Sequence, residues 1–170
     1  ETEIGGGKTG NFRGGVAYPR CDTRGTDFNI SVFEEEVGGL MMRLVTKAED
    51  LVDQIAVSRE TAIKLARFTE LLKTWQKRIN LISGKTAEDI WQRHIWDSAQ
   101  LLQYFPKTTT PLQVLDMGAG AGFPSLILAA QSPHHFTLVE SDVRKCAFLR
   151  EAVRTLEIKD RVVIENCRIE

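Results

Sequence analysis

The sequence predicts an α/β fold in which a parallel sheet follows a run of helices, and three observations predict it. From Leu40 to Phe105 large apolar residues recur at three- and four-residue steps, the period of amphipathic helices. From Leu112 onward short apolar runs alternate with helical stretches in the order strand, helix, strand, helix, strand. A glycine-rich turn, Gly118-Ala119-Gly120-Ala121-Gly122, joins the first of those strands to its helix. The chain therefore divides into a Gly-rich extension (1–39), a helical region (40–110) and a sheet domain (111–170).

The extension holds nine of the thirteen glycines and shows no helical or strand period, so it is expected to be flexible. Met41 or Met42 is a candidate natural start. Gly7-Lys8-Thr9 resembles the end of a phosphate-binding loop, but Thr2 stands where that motif needs glycine. In the helical region Ser58 is placed to cap a helix whose stripe is Leu65, Phe68, Leu72, Trp75 and Ile79. Asn80 to Gly84 breaks it. Thr86 with Asp89 has the form of a capping box for a second helix running to about Tyr104, with Ile90, Ile95, Ala99 and Leu102 inward. A Thr/Pro linker spans Pro106 to Pro111. The first strand is Gln113 to Asp116, and a helix runs from about Pro124 to Gln131. The second strand is Phe136 to Glu140. Ser141 or Asp142 caps a helix carrying Cys146, Leu149, Val153 and Leu156, and the third strand is Arg161 to Glu165.

The turn carries the most chemistry. Its glycines let the backbone approach a ligand closely, and it feeds a helix N-terminus whose free N–H groups favour anionic groups. Glu140 follows at the carboxyl end of the second strand, where ligands of open α/β sheets bind, and a carboxylate there can accept two hydrogen bonds from a ribose diol. These features point to an adenosine-containing ligand. The dinucleotide pattern G-x-G-x-x-G fails in both frames, because Phe123 or Ser125 falls at the sixth position. The observed pattern places Asp116 two residues before Gly118 and continues through Gly120 and Gly122, the form typical of S-adenosylmethionine enzymes. That ligand carries a sulfonium and an ammonium, so a nearby carboxylate such as Asp116 favours it. A tight strand–helix turn with no ligand is the plain alternative.

Composition bounds the rest. The chain has 170 residues, 42% hydrophobic and 26% charged, with a net charge of -1. That charge argues against tight non-specific nucleic-acid binding but permits a local basic patch. No apolar run approaches the ~20 residues that span a bilayer, and no secretory signal is evident. Cys21, Cys146 and Cys167 lack metal-ligand spacing and read as reduced thiols of a cytoplasmic protein without a metal.

Several stretches together resemble the RsmG (GidB) family of bacterial 16S rRNA guanine-N7 methyltransferases. They are Asn80-Leu81-Ile82-Ser83, Arg93-His94-Ile95-Trp96-Asp97-Ser98, Asp116 through Pro124, Glu140-Ser141 with Lys145 ahead of Phe148-Leu149-Arg150, and Arg168-Ile169-Glu170. Ser125 departs from a glycine frequent in the family. The resemblance implies a Rossmann-like class I methyltransferase sheet. It also implies S-adenosyl-L-methionine as cofactor, and 16S rRNA or the small ribosomal subunit as partner, with the target in the 530 loop. It implies that Gly118 and Phe123 meet the cofactor, that Glu140 holds the ribose, and that Ile169 and Glu170 lie along the adenine. Guanine N7 has a free lone pair, so no general base is required. His94 and Asp97, three apart on one helical face, are either a catalytic pair or a structural hydrogen bond packing that helix on the sheet. Lys85 and Arg93 either touch RNA phosphates or are solvated. Trp75, Trp91 and Trp96 are expected in the core rather than stacked on a base. The chain stops after its third strand, where a doubly wound sheet usually has five to seven, so marginal stability is expected. A cofactor-binding but inactive fragment, or an NAD-type oxidoreductase, are the competing readings. A monomer that binds no membrane is expected.

Overall fold

The computed structural model describes residues 44–54 and 57–169; the stretch 1–39, Cys21, Met41, Met42 and Glu170 lie outside the described residues. Helix α1 (Ala48–Gln54) starts where the Asp50 carboxylate takes the N–H groups of Thr46 (2.8 Å) and Lys47 (3.1 Å). Helix α2 (Arg59–Gln76) is capped by Ser58, whose hydroxyl accepts the Thr61 N–H at 3.1 Å, as the sequence predicts. Leu65, Phe68 and Leu72 of its stripe are fully buried, and Trp75 and Ile79 are packed at the margin. The helix ends short of Ile79 because Gln76 turns its side chain back on the backbone. Its Oε1 accepts from Leu81 and Ile82 (2.9 and 3.0 Å), and its Nε2 donates to the Ile82 carbonyl (2.7 Å).

The next helical stretch corrects the sequence reading. Thr86 makes no capping box with Asp89, and there is no single α-helix to Tyr104. A 3-10 turn (Ala87–Asp89) leads into a π-wound turn (Trp91–Trp96), one α turn, α3 (Asp97–Ala99), and a second 3-10 segment (Gln100–Tyr104). The buried residues explain the winding. Ile90 and Ile95 are both in the core although five apart, an interval that α geometry would splay and an i→i+5 turn brings toward one face.

Strands β1 (Gln113–Met117), β2 (His135–Val139) and β3 (Val162–Glu165) form a parallel sheet in the order β1-β2-β3. Helices α4 (Ser125–Gln131) and α5 (Val143–Thr155) are the crossovers. Each crossover steps the same way along the sheet, so right-handed connections put both helices on one face. Asp142, not Ser141, caps α5, taking the N–H groups of Arg144 and Lys145. The core lies between that sheet face (Phe136, Leu138, Val162) and Leu126, Ile127, Phe148 and Leu149 of the two helices, with Leu65, Phe68 and Leu72 of α2 behind them. Trp75 joins α2 to α5 by packing on Phe148 and donating Nε1–H to Glu151 at 3.0 Å. Trp96 is buried and Trp91 packs against the core, so the tryptophans do structural work. On the opposite sheet face Leu115, Met117 and Val163 are 61%, 63% and 54% exposed.

Candidate functional site

The tip of β1 is tied to the end of β2. The N–H groups of Gly118 and Ala119 both reach the Val139 carbonyl, at 2.8 and 3.0 Å. Gly118 and Gly122 need glycine for different reasons, although both sit in the left-handed region, at φ +85 and +81. A Cβ on Gly118 would meet open space. A Cβ on Gly122 would lie 2.4 Å from Leu126 Cδ1 and 3.0 Å from Leu149 Cδ2, so that glycine is demanded by packing. One end of the turn is therefore open for a ligand and the other is wedged into the core.

Glu140 closes the site from β2. It is 7% exposed, and each carboxylate oxygen takes one backbone N–H: Oε2 accepts from Gly120 at 2.9 Å and Oε1 from Asp142 at 2.8 Å. Burial alone would raise this carboxyl. The N–H groups of Asp142 and Gly120, with Lys145 nearby, outweigh it and hold Glu140 below the usual carboxylate range. The register sets Asp116 opposite Leu138, and Glu140 lies two residues beyond, so strand alternation puts both acids on the helix-covered face. Their tasks differ. Asp116 Oδ2 receives the hydroxyl of buried Ser125 at 2.6 Å, which ties β1 to the first residue of α4.

A cleft of about 460 Å³ opens at the carboxyl ends of all three strands, a size typical of small-molecule sites. Gly118 lines it from β1, and Val139, Glu140 and Ser141 from β2. Beyond β3 its wall is Cys167, Arg168 and Ile169. Of the residues singled out in the sequence, Gly118, Glu140 and Ile169 come together here. Asp116, Gly120, Gly122 and Phe123 do not line it; they shape the turn behind it, and Glu170 lies outside the described residues. Sequence reasoning missed Val139, Ser141, Cys167 and Arg168. The rule that ligands sit outside strand carboxyl ends points to all four once the strands are placed.

The remaining candidates resolve less simply. His94 directs Nε2 to Thr86 Oγ1 at 2.9 Å rather than to Asp97, and its ring stacks on Phe123 with centroids 5.0 Å apart. Burial lowers the His94 pKa, against the opposing pull of Asp97 and Asp89. Lys85 is exposed, and Arg93 faces Asp89 at 3.8 Å; neither lines the cleft. Among the described residues no group of three or more His, Cys, Asp or Glu is placed to hold a metal, and no helix is long and apolar enough to cross a membrane.

Residues 61–170 match the family model GidB, described as rRNA small subunit methyltransferase G. The "Ribosomal RNA small subunit methyltransferase G" of Gluconobacter oxydans is 47% identical over 110 residues, covering 65% of this chain and 55% of that protein. The protein of the same name from Paramagnetospirillum magneticum is 46% identical over 123 residues, covering 72% and 58%. The chain thus spans somewhat more than half the length of these relatives. Among solved structures, an O-methyltransferase from Bacillus cereus in complex with SAH aligns over 70% of this chain and 48% of its own, at 14% identity and a TM-score of 0.42.

Proposed function

The chain belongs to the GidB family, the rRNA small subunit methyltransferase G proteins, and from that premise we propose that it binds S-adenosyl-L-methionine in the strand-end cleft and serves methyl transfer to guanine N7 of 16S rRNA. The observation that carries the reading is Glu140, a buried, ionised carboxylate at the cleft wall with one backbone N–H on each oxygen. A carboxylate has about four acceptor positions. Two are used, and two remain for the paired hydroxyls of a ribose. A carboxylate at this place also holds the adenosine ribose of dinucleotides. The preference for an adenosine without a pyrophosphate rests on the turn, where Phe123 and Ser125 stand at the positions the dinucleotide pattern reserves for glycine.

The cofactor supplies an activated methyl group on a sulfonium. The protein's contribution is alignment, since N7 forms its bond to carbon from a free lone pair while the carbon–sulfur bond breaks, and no proton leaves N7. Glu140 would fix the ribose and Ile169 would lie along the adenine. The open backbone of Gly118 would admit the amino-acid portion, and Asp116, one step behind, adds negative potential toward the sulfonium while it holds Ser125. No residue acts as a base. A cytoplasmic monomer is part of the same proposal. The test is transfer of labelled methyl from S-adenosylmethionine to small-subunit rRNA, offered both naked and assembled. Label at guanine N7 is expected; cofactor binding with no label in either substrate contradicts the proposed reaction.

A further inference from the structure

We propose that His94 is a positioning residue for the cofactor: its stack on Phe123 and its bond to Thr86 clamp the glycine turn in the shape that receives the ligand. The inference rests on the reading of the cleft above and adds a role for a residue outside it.

Phe123 directly follows Gly122, the wedged end of the turn. Its ring is held from two sides, by Phe68 of α2 (5.7 Å between centroids, edge-on) and by His94 (5.0 Å, planes 28° apart). The turn's other end is Gly118, at the cleft, and Gly120 between them gives its N–H to Glu140. A shift of the Phe123 ring therefore passes through Gly122, Ala121 and Gly120 to the Glu140 carboxylate. The imidazole is itself anchored: Thr86 Oγ1 lies 2.9 Å from His94 Nε2 and also meets the Ser83 hydroxyl (2.9 Å) and the Ser83 carbonyl (3.1 Å), which ties the ring to the loop ahead of it. The π-wound turn that buries Ile90 and Ile95 lies at Trp91–Trp96, around His94, and such turns are frequent at functional sites. Gln76 completes the frame by holding the Leu81–Ile82 backbone just ahead of Ser83 and Thr86. His94 thus lies outside the cleft, in the stretch Arg93–Ser98, and acts on the cofactor turn with Phe123 as the intermediary.

The test uses the complete protein. S-adenosylhomocysteine affinity is measured by calorimetry for wild type, H94A, H94F, T86V, F123A and the H94A/F123A pair, alongside steady-state methyl transfer. H94A is expected to raise the cofactor Kd and KM by about tenfold, with kcat moved less than about threefold. H94F keeps a ring on Phe123 and is expected to recover most of the affinity, and T86V to fall between. The double variant is expected to bind no more weakly than the worse single one. A loss confined to kcat would make His94 a catalytic residue and overturn the proposal, as would unchanged affinity or additive losses in the pair. Should H94A not fold, H94F and T86V carry the same comparison. Absence of binding by wild type would remove the underlying reading instead, and that outcome is read in a separate arm.

Discussion

Glu140 and Gly122 show how differently two residues of one motif support the site. Replacing Glu140 by Gln leaves one acceptor oxygen where two N–H donors converge, so either Gly120 or Asp142 loses its partner, a cost of about 1–3 kcal/mol. E140Q is expected to weaken S-adenosylhomocysteine binding at least about tenfold by calorimetry. The same carboxylate sets an acid limit. Its pKa in the fold lies below the ordinary value of 4.5, so its stabilisation is complete above pH 4.5 and is lost as pH falls through the lower, folded value. Thermal melts taken downward from pH 7 are expected to show this loss in wild type and a shallower one in E140Q. Gly122→Ala tests the wedge: its methyl overlaps Leu126 and its φ is unfavourable, so a loss of about 1–3 kcal/mol in denaturant titrations is expected. Glu140 was legible in the sequence because a strand end fixes its place. The engagement of Asp116 with Ser125 was not, because spacing gives proximity and not the partner chosen.

Elements whose cause is local were readable, and elements shaped by the core were not. Ser58 and Asp142 cap α2 and α5 through bonds to residues two or three positions away, a relation written in the sequence itself. Ser58→Ala is expected to cost about 1 kcal/mol, read as a lower melting midpoint with cofactor affinity preserved. The stretch from Thr86 to Tyr104 misled because its Thr-x-x-Asp spacing has the right form while the Thr86 hydroxyl is taken by Ser83 and His94. Burial of Ile90 and Ile95 then bends the backbone away from an α-helix. At the end of α2 the cause is likewise non-local, since the side chain of its last residue, Gln76, holds the Leu81–Ile82 loop.

Across the whole molecule, the topology was legible because each strand–helix step repeats one right-handed rule, while the cleft wall beyond β3 was only partly so. One face of the sheet is covered and the other leaves Leu115, Met117 and Val163 exposed. Among the described residues the sheet has three strands and one face with exposed apolar side chains, so this 170-residue polypeptide is expected to melt with low cooperativity and to bind hydrophobic dyes. A sharp, high-temperature transition of the monomer would contradict that. The central claim is that the strand-end cleft holds the adenosine of S-adenosylmethionine through Glu140, on a glycine turn that lacks the dinucleotide pattern. Parallel calorimetric titration of the complete protein with S-adenosylhomocysteine and with NAD tests it most directly. The account predicts saturable binding of S-adenosylhomocysteine that E140Q weakens, and none of NAD. Tight NAD binding, or S-adenosylhomocysteine affinity indifferent to E140Q, would contradict it.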